Sequence, residues 1–224
     1  VEKIDLIAKK NNLKVIYDAA HAFNVKYKGR SILDYSDIST LSFHATKVFH
    51  SIEGGALIIN DDSLVEKARY LINFGIKNKE EIPQLGTNAK MNEFEAAMGL
   101  CMLDDMSDLY KRRKSIYASY KKELENIVRF QEQNEESTQN YSYFPIILQN
   151  EEQLKKIENA LNLQEIYPRR YFYPSLDTLS YIKPTQFCEV SRNIASRILC
   201  LPMYAELETS DIKKICAIIK NILC

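Results

Sequence analysis

The stretch SFHATKVFHSIEGGAL, residues 42–57, joins the end of one apolar run to the start of another through a single lysine and a pair of glycines. STLSF at 39–43 predicts a strand, and GALIIN at 55–60 predicts the next one. Lys47 lies between them, with Leu41, Phe43 and Ala45 before it and Val48 and Phe49 after it. A lysine becomes a nucleophile when desolvation or a nearby cation disfavours its ammonium form, and apolar company provides such a setting. Taken alone, Lys47 reads equally as a surface lysine at a strand end.

Upstream, VEKIDLIAKKN (residues 1–11) carries Val1, Ile4, Ile7 and Ala8 at helical spacing, and LKVIYDAA (13–20) follows as a strand ending in Asp18. Helix then strand is the order of an α/β unit. Asp18 stands at the carboxyl end of its strand, where open α/β sheets collect ligands, although an aspartate there also caps turns. Downstream, Asp61-Asp62-Ser63 predicts the cap of a helix over 63–74. From Met91 an apolar stripe through Phe94, Met98, Cys101, Met106, Leu109, Ile116, Tyr120 and Leu124 predicts a long helix bent near Asp104 and Asp105. The remainder predicts a strand at 141–148, a helix at 151–162, a proline-broken strand at 165–174, and helices at 188–199 and 209–223. Residues 131–140, QEQNEESTQN, read as a polar surface loop. All six glycines precede residue 100, so tight backbone work belongs to the first part. The chain divides on this reading near residue 108: residues 1–107 form the later part of a larger α/β domain, and residues 108–224 a small α+β domain.

Thirty basic residues balance thirty acidic ones, so no global field draws the protein to nucleic acid or to an anionic membrane. Five cysteines are an odd number, with no CxxC pair and no apolar run long enough to span a bilayer. Free thiols packed mostly as small hydrophobes, in a reduced cytoplasmic setting, are the expectation. The three histidines, His21, His44 and His50, fall within thirty residues of one another.

Four segments in order carry a resemblance. DAAHA (18–22), SFHATK (42–47), IEGG (52–55) and GTNAKM (86–91), with RILCLPMY (197–204) further on, resemble the sugar-nucleotide aminotransferases of the DegT/DnrJ/StrS type, a branch of the fold-type-I pyridoxal phosphate (PLP) enzymes. Two departures stand out: Ile52 replaces the first glycine of the family's G-E-G-G element, and Lys90 replaces the arginine of G-x-N-x-R-M. The resemblance implies the later part of a three-layer large domain with a mixed sheet, followed by the small domain. It implies PLP as cofactor, with Asp18 beside the pyridine nitrogen, where a carboxylate holds the proton that makes the ring an electron sink. It likewise places His21 at the ring hydroxyl, Ser42 at the phosphate, and Lys47 as the lysine that carries the cofactor and then moves the proton. Asn88 would reach the phosphate of a partner subunit, so a homodimer is implied.

PRRYFYPSLDTLSY (168–181) occupies the place where many relatives line the sugar site. Its Arg169, Arg170, Tyr171 and Tyr173, together with Lys90 of the 86–91 segment, are the candidate substrate contacts, since arginine offers a planar fork to phosphate oxygens. The implied reaction moves an amino group, from a donor such as glutamate, onto a nucleotide-linked 4-keto-6-deoxysugar for surface-glycan or deoxyaminosugar synthesis. Related deoxysugar dehydratases carry histidine at the lysine position, so Lys47 points to the transaminases. No glycine-rich turn precedes Asp18, and an N-terminally truncated subunit is the expectation, with an inactive remnant as the alternative.

Overall fold

The computed structural model describes residues 1–183 and 186–224, which form two compact units. The first comprises Val1–Met106 together with Asn134–Asn140. Helix α1 (Glu2–Lys10) has acidic residues in its first turn and Lys9 and Lys10 in its last, matching the helix dipole. Strand β1 (Ile16–Asp18) lies parallel to a later strand, and a hairpin of β2 (Lys26–Tyr27) and β3 (Arg30–Ser31) falls in the connection. Lys28 and Gly29 both take positive φ at that hairpin, as a two-residue turn that follows the strand twist requires. Strand β4 (Ile38–Ser42) pairs parallel with β1, setting Asp18 beside Thr40, and β5 (Gly55–Ile59) pairs antiparallel with β4, setting Gly55 beside Ser42. The sheet is therefore mixed, in the order β1-β4-β5. Because β1 and β4 run the same way, Asp18 and Ser42 emerge at one edge of the sheet.

A short 3-10 turn, capped where Asp61 accepts the Ser63 backbone N–H at 3.1 Å, leads into α2 (Val65–Ile72). Helix α3 (Glu93–Leu124) then runs unbroken through Asp104 and Asp105. Gly99, in its first half, lies against the 48–51 segment, where an added Cβ would come 3.6 Å from Ser51 Cβ and 3.7 Å from the Phe49 ring.

The second unit comprises Ser107–Gln133 and Tyr141–Cys224. Its strands β6 (Arg129–Phe130), β7 (Phe144–Ile147) and β8 (Ile198–Leu201) form an antiparallel sheet in that order, accompanied by α4 (Glu151–Asn162), α5 (Glu189–Arg197) and α6 (Thr209–Leu223). The core joins Ile116, Tyr120 and Leu124 of α3, spaced one turn apart, to Phe144 and Ile146 of β7, Leu154, Ile157 and Leu161 of α4, and Ile212, Ile215 and Ile219 of α6. Full burial of each such aliphatic side chain contributes about 1.5–3 kcal/mol. Asn150 caps α4 by accepting the Gln153 N–H at 2.9 Å, which is why that helix starts where its polar-apolar pattern starts.

Several expectations are corrected. No strand spans 165–174; Pro168 and Pro174 lack N–H donors, and only Arg169 bridges Cys200, through two hydrogen bonds of 2.8 and 2.9 Å. The helix expected over 188–199 stops at Arg197, because Ile198 turns extended and Leu199, Cys200 and Leu201 are buried as a strand against β7. The first strand is confined to 16–18. Only Cys200 and Cys216 pack as buried hydrophobes, and Cys101, Cys188 and Cys224 are exposed. The 131–140 segment is more than a surface loop, since residues 134–140 belong to the first unit: Lys26 N–H donates to Thr138 Oγ1 at 2.8 Å and Thr138 N–H returns to Lys26 O at 2.8 Å. Among the described residues no helix is long and apolar enough to cross a membrane.

Candidate functional site

The loop from Phe43 to Gly54 carries the lysine, and its two ends are tied together. Phe43 N–H donates to Gly54 O at 2.8 Å, Ser51 N–H to Phe43 O at 3.0 Å, and Ser51 Oγ to Glu53 O at 2.6 Å. Gly54 has φ of +145°, and a Cβ there would fall 2.6 Å from Ser51 Oγ; a Cβ on Gly55 would fall 2.7 Å from Leu41 O. The glycine pair is thus required by both conformation and close approach. Beneath the loop Phe49 stacks on Phe23 at 4.6 Å and meets Phe43 edge-on at 4.8 Å, with Val48 and Phe49 both buried. Ile52, at the first position of IEGG, takes φ of +70°.

This platform brings three of the expected residues together. Lys47 Nζ lies 3.1 Å from His21 Nε2. Burial foremost, and the Lys47 charge next, hold the His21 imidazole below the usual histidine range, against a smaller upward pull from Asp18. An uncharged His21 can accept the lysine hydrogen through Nε2. Asp18 accepts the Ala20 N–H at 3.1 Å, a turn-capping bond that leaves its carboxylate exposed and, among the described residues, without an ion pair. Lys47 likewise has no carboxylate within 4 Å among the described residues. Ser42 sits at the same strand edge, its Oγ accepting the His44 N–H at 3.5 Å.

Asn88 and Lys90 form a second cluster. Lys90 Nζ donates to Asn88 Oδ1 at 2.6 Å and lies 4.2 Å from the centre of the Phe74 ring. No hydrogen bond or ion pair joins this pair to Asp18, His21, Ser42 or Lys47 among the described residues. Lys90 also borders a groove of about 1100 Å³ beside β5, lined by Leu41, Gly54, Leu57, Ile72 and Met91; Asp18, His21 and Lys47 stand outside it.

In the second unit Arg169 is exposed and donates to Tyr171 Oη at 2.6 Å. Arg170 is engaged differently, bonded to Glu151 Oε1 at 2.9 Å and Ser196 O at 3.3 Å, with Tyr173 beneath its guanidinium at 3.6 Å. Arg169 and Tyr171 therefore keep more freedom to meet a ligand than Arg170 does.

Three residues around Lys47 escaped the sequence reading. His44 O accepts the Lys47 N–H at 2.9 Å, Thr46 N–H donates to His44 Nδ1 at 3.2 Å, and His44 Nε2 stands 3.6 Å from Glu53 Oε1. The His-x-Thr spacing within a turn is the one local signal for that arrangement. Asn140 was also missed: its Nδ2 donates to His21 O at 2.8 Å and Phe23 O at 3.2 Å, across more than a hundred residues.

Comparison with known proteins places this geometry. The dTDP-4-amino-4,6-dideoxy-D-glucose transaminase of Shigella dysenteriae is 42% identical over 223 residues, covering 96% of this chain and 61% of that protein. The GDP-perosamine synthase of Escherichia coli O157:H7 is 29% identical over 218 residues, with 96% and 60% covered. Among solved structures, DesI in the presence of its TDP-sugar product superposes with a TM-score of 0.89 at 28% identity, covering 98% of this chain and 58% of that one. The chain thus spans about three-fifths of the length of these relatives. The sequence profile of the DegT/DnrJ/EryC1/StrS aminotransferases matches residues 1–220, from α1 into α6, and this chain belongs to that family.

Proposed function

We propose that this chain acts in a PLP-dependent aminotransferase that places an amino group on a nucleotide-linked 4-keto-6-deoxysugar. The observation that carries the reading is Lys47: an amine held by an uncharged imidazole, tied among the described residues into no carboxylate pair, and set at the sheet edge where Asp18 emerges with no ion pair among those residues. The donor set fits the cofactor, since it offers an amine for an aldehyde, a carboxylate for a pyridine nitrogen, an imidazole for a phenolic oxygen, and hydroxyl and amide donors for a phosphate. Lys47, Asp18, His21, Ser42 and Asn88 would hold those groups in that order. When bound, PLP supplies an electron sink for the substrate's Cα.

The residues supply the rest. Asp18, paired with no cation among the described residues, is available to keep a ring proton in place. Ser42 lends its hydroxyl to the phosphate, and the loop ties from Phe43 to Gly54 fix where Lys47 stands, so that little orientational freedom is lost when it reacts. Lys47 Nζ would take the proton from Cα of the amino-acid donor and, in the second half of the transfer, give a proton to the sugar carbon that receives the amino group. Arg169 and Tyr171 suit the diphosphate and base of the nucleotide sugar. The name of the 42%-identical relative supports C4 of a dTDP-linked sugar as the position aminated. We place the enzyme in the cytoplasm as a homodimer, making precursors of surface polysaccharide or lipopolysaccharide.

Adding PLP to the full protein should produce the visible absorbance of lysine-bound cofactor, and borohydride should fix PLP to the peptide containing Lys47. Lys47→Ala should lose both signals while retaining its fold. An unchanged spectrum in the variant, or label on another lysine, would refute the assignment.

A further inference from the structure

We infer that Lys90 is a positioning residue that fixes the side-chain amide of Asn88 with its NH2 end outward, as a dedicated donor to the cofactor phosphate. This rests on the aminotransferase reading and goes further, because it gives Lys90 a task other than direct contact with substrate.

Thr87 N–H donates to Leu71 O at 2.8 Å, Ala89 N–H to Ile72 O at 3.0 Å, and Phe74 N–H to Thr87 O at 3.0 Å, so the 87–89 segment is pinned to the end of α2. Asn73 and Asn88 face each other as an antiparallel bridge. Gly75 and Gly86 bring the two segments so close that a Cβ on Gly75 would lie 1.8 Å from Gln84 O. The Asn88 backbone therefore has one placement, and only its side chain has a choice left. An asparagine amide can present either its carbonyl or its NH2 group, and the two are opposite in function towards an anion.

Lys90 removes that choice. An ammonium group only donates, so the Asn88 atom 2.6 Å from Lys90 Nζ must be the carbonyl oxygen. The NH2 group then faces away, with both hydrogens free of protein acceptors among the described residues. Phe74, held at φ of +56° by the same backbone bonds, underlies the ammonium at 4.2 Å and keeps it from swinging off the amide. The short charge-assisted bond also polarises the amide, sharpening its N–H groups as donors.

The test is a double-mutant cycle on cofactor binding in the full protein, with PLP and phosphate-free pyridoxal as the two probes. Lys90→Met should weaken PLP binding about tenfold, the scale of one charge-assisted hydrogen bond, and leave pyridoxal unchanged, while Lys90→Arg should restore most of the loss. In an Asn88→Ala background Lys90→Met should change PLP binding less than twofold. A tenfold loss that persists without Asn88 would mean that Lys90 meets the anion directly, and would overturn the inference. Nitrogen-15 spectra of the Asn88 side chain, recorded without cofactor, decide orientation separately. The amide signal should shift and gain mobility in Lys90→Met, and indifference to the substitution would refute the positioning alone. Wild-type protein that binds no PLP while showing the amide response would instead bring down the aminotransferase reading and the cofactor role with it.

Discussion

Ile52 provides a sharp test of the loop that carries Lys47, because a β-branched residue at φ of +70° is a conformational outlier. The left-handed region costs an L-residue roughly 1–2 kcal/mol, a cost glycine escapes. Glycine in turn lowers stability by about 0.5–1 kcal/mol relative to alanine, through the greater freedom of the unfolded chain. Ile52 is 53% exposed, and replacement by alanine or glycine removes the same packing. The informative quantity is therefore the difference between Ile52→Gly and Ile52→Ala. The left-handed relief outweighs the entropy term, leaving the glycine variant more stable by about 0.5–1 kcal/mol, or roughly 1–4 °C in melting temperature for a chain of this size. At an ordinary loop position the order is reversed. Urea unfolding of the two variants measures the difference directly, provided their m-values agree. An alanine variant as stable as the glycine variant, or more stable, would show that residue 52 is not left-handed in solution and that the IEGG turn is built otherwise.

Two further outcomes follow from buried or shifted groups. Tyr120 is fully buried, its hydroxyl has no partner among the described residues, and burial drives its ionisation far above the usual tyrosine range. Tyr120→Phe keeps the stacking on Phe144 at 4.8 Å and should raise stability by about 1 kcal/mol in urea titration; a loss of that size would reveal a hidden hydrogen bond. His21, held below the usual histidine value of 6.5, should titrate under that pH by NMR and move upward in Lys47→Ala, since that variant removes one of its two lowering causes. Because the folded value is depressed, the stabilisation it represents is intact above the unfolded value and fades as pH falls through it, as the unfolded chain takes up the proton first. A midpoint at or above 6.5 in the wild type would contradict the placement of His21.

The helices were legible because their signals are local: Asp61 announces the turn before α2, and the apolar stripe of α3 keeps its spacing from Phe94 to Leu124. The mixed sheet and the roles expected of Lys47 and Asp18 came from the resemblance of the ordered motifs to a known family, not from either residue alone. What escaped was set at a distance or by competition. Asn140 reaches His21 from a segment that reads as loop, and no local pattern encodes such a contact. Ile198 and Leu199 read as the end of a helix, and the unfilled edge of β7 takes them with Cys200 and Leu201 as a strand. The bond from Arg170 to Glu151, nineteen residues earlier, is likewise encoded by no local pattern. Ile52 was visible as a departure from pattern, but its left-handed backbone was not.

The segment Asn134–Asn140 gives the chain an order of assembly. The unit that holds Lys47 is closed by residues made after the long helix, with Lys28 N–H donating to Glu136 O at 2.8 Å and Asn140 clasping the His21 turn. At translation rates of 5–20 residues per second, the interval between residue 106 and residue 140 is roughly 2–7 s. During that time the nascent unit waits with its hairpin unlatched and its imidazole turn unclasped. The Lys47 amine thus gains its final setting only when a later part of the message has been read.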